Sequence, residues 1–328
     1  MRRLFKLFVV LAALVGGATL WWLNQSLSVA AGTVDLVVEP GTPPRGVAQA
    51  VNDAGVEISP LLLYWWFRWS GEARQIKAGN YEITQGTTPR SLLRKLVRGD
   101  EALRAVTLVE GWTFKQVRSA LLKEEQLTHD TRGIEPDLIM KSLDRPGLHP
   151  EGRFFPDTYT YAKGSSDFAV LKRALRAMDK KLAAAWAQRA PDTPLTSPEQ
   201  ALILASIVEK ETGRASDRPL IAAVFSNRLK IGMMLQTDPT VIYGLGDQFD
   251  GNLRRRDLQT DTPWNTYTRA GLPPTPIAMP GKSALLAAVQ PAPSKALYFV
   301  ARGDGSSEFS ADLAAHNRAV NKYQRGQQ

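Results

Sequence analysis

The chain has 328 residues, 41 Lys and Arg against 32 Asp and Glu, a formal net charge of +9 and no cysteine. That length predicts two folded units and an anchor rather than one domain, and the lack of cysteine excludes disulfides and thiol chemistry. The basic balance does not point to nucleic acid, because Lys and Arg are scattered along the chain except at Arg254-Arg255-Arg256.

Residues 4 to 23 form an apolar stretch interrupted by Lys6 and long enough to cross a bilayer as a helix. Arg2, Arg3 and Lys6 at its start predict a cytoplasmic N-terminus, with everything after Trp22 outside. Trp21 and Trp22 fall where a membrane meets water. The competing reading is a cleaved signal peptide, with Ser28-Val29-Ala30 as its cleavage site, but the apolar stretch exceeds a usual signal core. Either way the bulk of the chain is exported. Nucleic acid is therefore not an expected partner, and a basic surface outside the membrane suits anionic wall polymer or lipid head groups.

Beyond the apolar stretch, residues 1–32 close as anchor and linker, and a unit over 33–104 follows. It reads as a strand at Val34–Val38, helices near Val47–Ala54 and Leu61–Trp69, a strand near Ile76–Ile83, and a helix opened by Thr88-Pro89 and stopped at Gly99. Tyr64, Trp65, Trp66, Phe67 and Trp69 are able to stack on sugars, but core packing is the expected role of most of them. A larger unit over 105–328 begins with a strand at Ala105–Val109. Thr128 to Pro150 reads as loop, Glu151 to Tyr161 as loop and strand, and helices follow over 168–189, 198–212 and 217–230. The fold class predicted is α+β.

The helix over 198–212 is the most informative segment. Ser197 suits its N-cap, Pro198 its first turn, Gln200 a capping box and Gly213 its stop. Leu202, Ala205, Ser206 and Glu209 share one face, so small side chains stand beside a carboxylate on an apolar helix. Desolvation there would keep the acid protonated, as general-acid chemistry requires. Glu211 points roughly 200° further round, so the two glutamates cannot serve one site equally. Taken alone, either is also an ordinary solvated or salt-bridged residue at a helix end.

Further on, Gln236-Thr237-Asp238-Pro239 and Asn265-Thr266-Tyr267 place sugar- or amide-bonding side chains beside rigid turns, which is equally plain turn chemistry. His129, His149 and His316 are too dispersed for a zinc motif, and neither a phosphate-binding glycine loop nor a nucleophile elbow occurs. No metal and no cofactor is expected.

Three strings carry a resemblance to a known family: Ala205-Ser206-Ile207-Val208-Glu209-Lys210-Glu211-Thr212, Val224 to Leu229, and Met234 to Gly244. Glu151-Gly152, Phe155 to Tyr159, Asn265-Thr266-Tyr267, Gly271 to Pro274 and His316-Asn317 match as well. In these the chain resembles the YceG-like family of endolytic murein transglycosylases. The resemblance implies a single-pass inner-membrane protein with a LysM-like subdomain and a periplasmic catalytic domain. The implied reaction cuts nascent peptidoglycan within a strand, between N-acetylmuramic acid and N-acetylglucosamine, leaves 1,6-anhydro ends and ends elongation, beside synthases of the elongation or division machinery. It places the catalytic acid on Glu209. Gln236, Thr237, Asp238, Asn265 and Tyr267 are the candidates for holding glycan, with Ser206 and Glu211 in support. The rival readings are a muramidase-type hydrolase with Glu211 or Asp238 as second carboxylate, and a wall-binding or scaffolding anchor.

Overall fold

A computed structural model describes residues 2–29 and 32–326; Ala30 of the alternative cleavage site lies outside the described residues. The fold is α+β with an N-terminal apolar helix. The chain divides into two compact units, Met1–Arg104 with Thr160–Ser165, and Ala105–Tyr159 with Ser166–Gln328. The segment 160–165, expected in the larger unit, thus groups with the first. The Lys163 ammonium pairs with Asp35, and its carbonyl accepts from the Asn80 amide.

The first unit runs α1 (Arg2–Leu23), β1 (Ser28–Val29), β2 (Thr33–Val38), α2 (Pro44–Asp53), β3 (Val56–Glu57), α3 (Pro60–Trp69), β4 (Gly79–Thr84) and α4 (Pro89–Arg98). Proline opens α2, α3 and α4, where a missing N–H costs no hydrogen bond and the fixed φ suits the helix. β2 pairs antiparallel with β4 from Thr33 opposite Thr84 to Val38 opposite Gly79. The two-residue alternation turns Leu36, Val38, Tyr81 and Ile83 inward, against Val47 and Val51 of α2, Leu63 and Phe67 of α3, and Leu92 and Leu96 of α4. α4 is held by reciprocal Thr88 and Ser91 capping bonds and stops at Gly99, whose φ of 75° a side chain would oppose. Of the aromatic run on α3, Phe67 is fully buried and Tyr64 and Trp66 are half-buried, whereas Trp69 is 73% exposed.

The strand β5 (Leu103–Thr107) leads into the second unit and pairs with β6 (Thr158–Ala162). Between them lie α5 (Phe114–Lys123) and α6 (Pro136–Ser142). The second helix stands where loop was expected, again with Pro in its first turn and with Ile139 and Met140 buried. There follow α7 (Asp167–Ala187), α8 (Pro198–Glu211), α9 (Arg218–Lys230), α10 (Asp238–Leu245), α11 (Arg255–Gln259), α12 (Lys282–Val289), the antiparallel hairpin β7 (Tyr298–Ala301) and β8 (Ser307–Ser310), and α13 (Leu313–Val320). Asp238-Pro239, read as a turn, starts α10 instead; the same dipeptide suits either, and the buried Thr240 and Val241 decide for helix.

α8 is the axis of this unit. Every residue from Ala201 to Val208 is buried, because α7, α9, α10 and α12 pack around it. The small Ala284, Ala287 and Ala288 let α12 approach closely.

Candidate active site

Both glutamates of interest stand in the last turn of α8. Its start is fixed by the Ser197 hydroxyl, which accepts from the Gln200 N–H at 3.2 Å. The Gln200 side chain reaches back to the Thr196 N–H at 2.8 Å, one residue before the position a capping box predicts. The helix ends at Glu211, and Thr212 turns the chain extended.

Glu209 is enclosed and fully engaged. One oxygen accepts from the Arg218 guanidinium at 3.0 Å and the other from the Gly281 N–H at 2.8 Å, and its side chain is 5% exposed. Gly281 is the N-cap of α12, so this carboxylate satisfies one of that helix's otherwise unpaired donors. Burial pushes the Glu209 carboxyl up from its ordinary value, against the Gly281 bond and the Arg218 charge. One face of the same helix anchors the neighbouring chain as well. The buried Ser206 hydroxyl donates to the Ile203 carbonyl at 2.7 Å and accepts from the Ile277 N–H at 3.0 Å.

Glu211 faces a different environment, a cavity of about 570 Å³. Its carboxyl accepts from the Thr237 hydroxyl, and burial together with the nearby Asp238 charge pushes it up to about 7, against the Arg228 charge. Asp238 in turn accepts from the Tyr267 hydroxyl at 2.6 Å. The segment that delivers these groups is tightly held. The Gln236 N–H donates to the Thr266 carbonyl at 3.1 Å, the Thr237 N–H to the Thr266 hydroxyl at 3.1 Å, and the Thr266 and Thr240 hydroxyls meet at 2.9 Å. Gln236 has a φ of 48°, a left-handed conformation that a side chain resists, and it lines the cavity. Arg228 walls the cavity with its guanidinium bonded to the Leu297 and Leu235 carbonyls at 2.7 and 2.8 Å, over the Tyr298 ring.

A third buried carboxyl lies outside this cavity. Glu151 is likewise pushed up to about 7 by burial; it accepts from the Phe114 N–H at 2.9 Å and the Tyr243 hydroxyl at 3.2 Å. It thereby secures the start of α5. Gly152 beside it has a φ of 78°, and a Cβ there would lie 2.5 Å from Pro276.

Of the residues singled out by sequence, Glu211, Gln236, Thr237, Asp238 and Tyr267 converge on one cavity. Glu209, Ser206 and Asn265 do not line it. The buried Asn265 shapes its own loop, donating to the Leu258 and Thr260 carbonyls and accepting from the Tyr267 N–H at 2.8 Å. Glu209 bonds to Arg218 of α9 and to Gly281 at the start of α12, and Glu211 is the one of the two glutamates that lines the cavity. Sequence reasoning missed Arg228, Tyr298 and His316, which complete the wall from α9, β7 and α13. His316 stacks on Tyr298 at 5.1 Å. His316-Asn317 carried a signal as a matched pair, but nothing in its local sequence links it to Glu211.

Comparison with known proteins adds independent findings. The YceG-like family matches residues 36–322. A relative from Bacillus subtilis (strain 168), named endolytic murein transglycosylase, is 30% identical over 308 residues, covering 89% of this chain and 85% of that protein. A relative of the same name from Streptococcus pneumoniae serotype 2 is 26% identical over 320 residues, and this chain spans 58% of its length. A crystal structure of a yceG-like protein from Listeria monocytogenes superposes with a TM-score of 0.54 at 28% identity, over 87% of this chain and 98% of that one.

Proposed function

Since the chain belongs to the YceG-like family, we propose that it is a lytic murein transglycosylase that cuts peptidoglycan strands internally, with Glu211 as its acid and base. The observation that carries this reading is a carboxyl held at about 7 inside a cavity lined by sugar-bonding groups. A carboxyl in that range is about half protonated near neutral pH, so it serves as acid and then as base without a large cost in either state.

In the first step Glu211 gives its proton to the glycosidic oxygen as the bond from muramic C1 to that oxygen breaks. In the second the C6 hydroxyl of the same sugar attacks C1 and passes its proton to the Glu211 carboxylate, which closes a 1,6-anhydro ring and consumes no water. The attack is intramolecular, so effective molarity replaces a nucleophile from the protein. Gln236, Thr237, Tyr267 and Asp238 hold the strand, and the Asp238 charge faces the positive charge that develops at C1. Asp238 also supports the rival reading, a hydrolase in which it activates water.

The experiment is mass spectrometry of muropeptides released from uncrosslinked glycan strands by the full chain in detergent. Internal fragments with 1,6-anhydro ends, absent with Glu211→Gln, support the proposal. Products heavier by one water give the reaction to the hydrolase, and equal cleavage by the variant removes Glu211 from it.

The remaining assignments belong to the same reading. The 19-residue apolar helix Phe5–Leu23 anchors the chain in the inner membrane with its N-terminus in the cytoplasm. The β2–α2–α3–β4 order and its antiparallel strand pair support a LysM-like module. Nascent glycan as substrate places the chain beside synthases of elongation or division.

A further inference from the structure

The face of α3 opposite Leu63 and Phe67 is also apolar and is largely exposed among the described residues. Trp69 is 73%, Leu61 59%, Leu62 55% and Trp65 40% exposed, an unusual cluster for a surface in contact with water. Trp66 differs, because its indole N–H donates to the Pro89 carbonyl at 3.2 Å and fixes α3 to the start of α4. Trp65 and Trp69 pack with ring centres 5.7 Å apart and planes tilted by 36°, and both are exposed.

That face continues the surface of α1. One cavity of about 340 Å³ is lined by Val15, Ala18 and Trp22 of α1 together with Leu62, Trp65 and Trp69 of α3. Val15 to Trp22 covers roughly 10 Å of helix axis. Wherever the last turns of α1 sit in lipid, α3 lies beside them, at the depth that interfacial helices occupy, about 5–10 Å into the head-group and acyl boundary.

Charge follows the same division. Arg90, Arg94 and Arg98 recur every fourth residue along α4, which packs against α1, and they line the neighbouring cavity with Trp66 and a single carboxylate, Glu72. An arginine row next to tryptophans is suited to lipid phosphates, since guanidinium binds phosphate oxygens in pairs and tryptophan prefers the interface.

We infer that α3 is a second membrane contact of this protein, an interfacial helix whose Leu61, Leu62, Trp65 and Trp69 enter the outer leaflet while Arg90, Arg94 and Arg98 bind anionic lipid head groups. The inference rests on the reading of α1 as a membrane anchor. Its consequence is that the first unit lies on the bilayer rather than standing off it on a flexible tether.

The absence of cysteine allows a direct test. Single spin labels are placed at Leu61→Cys and Trp69→Cys in the full chain, in vesicles of zwitterionic lipid with and without phosphatidylglycerol. Collision with oxygen and with a water-soluble nickel chelate then reports depth. Leu14→Cys, within α1, tests the anchor itself, and Glu39→Cys, on an exposed turn, gives the aqueous limit. The expected result is oxygen access with several-fold less nickel access at 61 and 69 than at 39, deeper still when phosphatidylglycerol is present. Replacing Arg90, Arg94 and Arg98 together by Gln should abolish that lipid dependence. Labels at 61 and 69 as open to nickel as 39, with 14 deep, overturn the inference and leave the anchor standing. Labels shielded from both reagents mean that protein covers α3, which also overturns it. Nickel access at 14 overturns the anchor reading itself.

Discussion

Two carboxylates two residues apart on α8 occupy opposite kinds of surroundings. Glu209 is matched by a guanidinium and a helix N-cap donor, so both its oxygens are used within the fold. Glu211 is matched by a neutral hydroxyl, faces another acid, and opens on space. Burial raises both; at Glu209 the bonded Arg218 opposes the effect and Glu110 adds to it, while at Glu211 Asp238 adds to it and Arg228, which is not bonded to the carboxyl, opposes it. On the proposed reading, the acid whose surroundings complete it is structural, and the one left half satisfied is available for chemistry.

The sharpest way to break this comparison is to neutralise each acid in turn. Glu211→Gln should lower turnover by about 10²–10⁴-fold, the usual share of a general acid and base, with an unchanged circular dichroism spectrum. Glu209→Gln should leave the turnover of the folded protein within a few-fold of normal. It should instead change stability by no more than about 1 kcal/mol in denaturant unfolding, because Arg218 loses its nearer counter-charge but keeps Glu110 at 3.9 Å. The opposite pattern, activity lost at 209 and kept at 211, would return catalysis to Glu209.

The pH dependence sharpens the same contrast. Initial rates should fall as pH rises through about 7, where the Glu211 proton leaves. A carboxyl raised from 4.5 to about 7 favours folding fully below 4.5, and that contribution is lost as pH rises through 7. Glu211→Gln should therefore flatten the decline in stability between those limits by about 3 kcal/mol. Chemical denaturation at a series of pH values reads this directly.

Smaller effects come from the supports on each side. Ser206→Ala leaves the buried Ile277 N–H unpaired and should cost about 1–2 kcal/mol of stability without moving the pH profile. Tyr267→Phe removes a donor to Asp238 and should lower turnover about fivefold. With the Asp238 charge less compensated, it should also move the alkaline limb upward. A profile unmoved by Tyr267→Phe would sever Asp238 from the titration of Glu211.

Much of the frame was legible in the sequence because its signals are local. Pro89 in the first turn, Gly99 at the helix end and the apolar run from Val34 to Val38 depend on neighbouring residues and place α4 and β2 to within a few residues. The matched strings led to the cavity through Gln236, Thr237, Asp238 and Tyr267. Turn chemistry misled at Asp238-Pro239, where a dipeptide suited to turns opens α10. Asn265 reads as a sugar binder by residue type, but its amide is consumed by the Leu258 and Thr260 carbonyls.

The sequence by itself determined that a run of small and apolar residues on α8 ends in two glutamates that point apart, since the helical repeat alone sets that angle. Which of them would be enclosed and which would face a cavity was decided by tertiary structure. The partners come from far along the chain: Arg218 and Gly281 close over one acid, while Thr237, Tyr267, Tyr298 and His316 surround space beside the other. A periodic pattern fixes the direction of a side chain, and only packing fixes what it meets there.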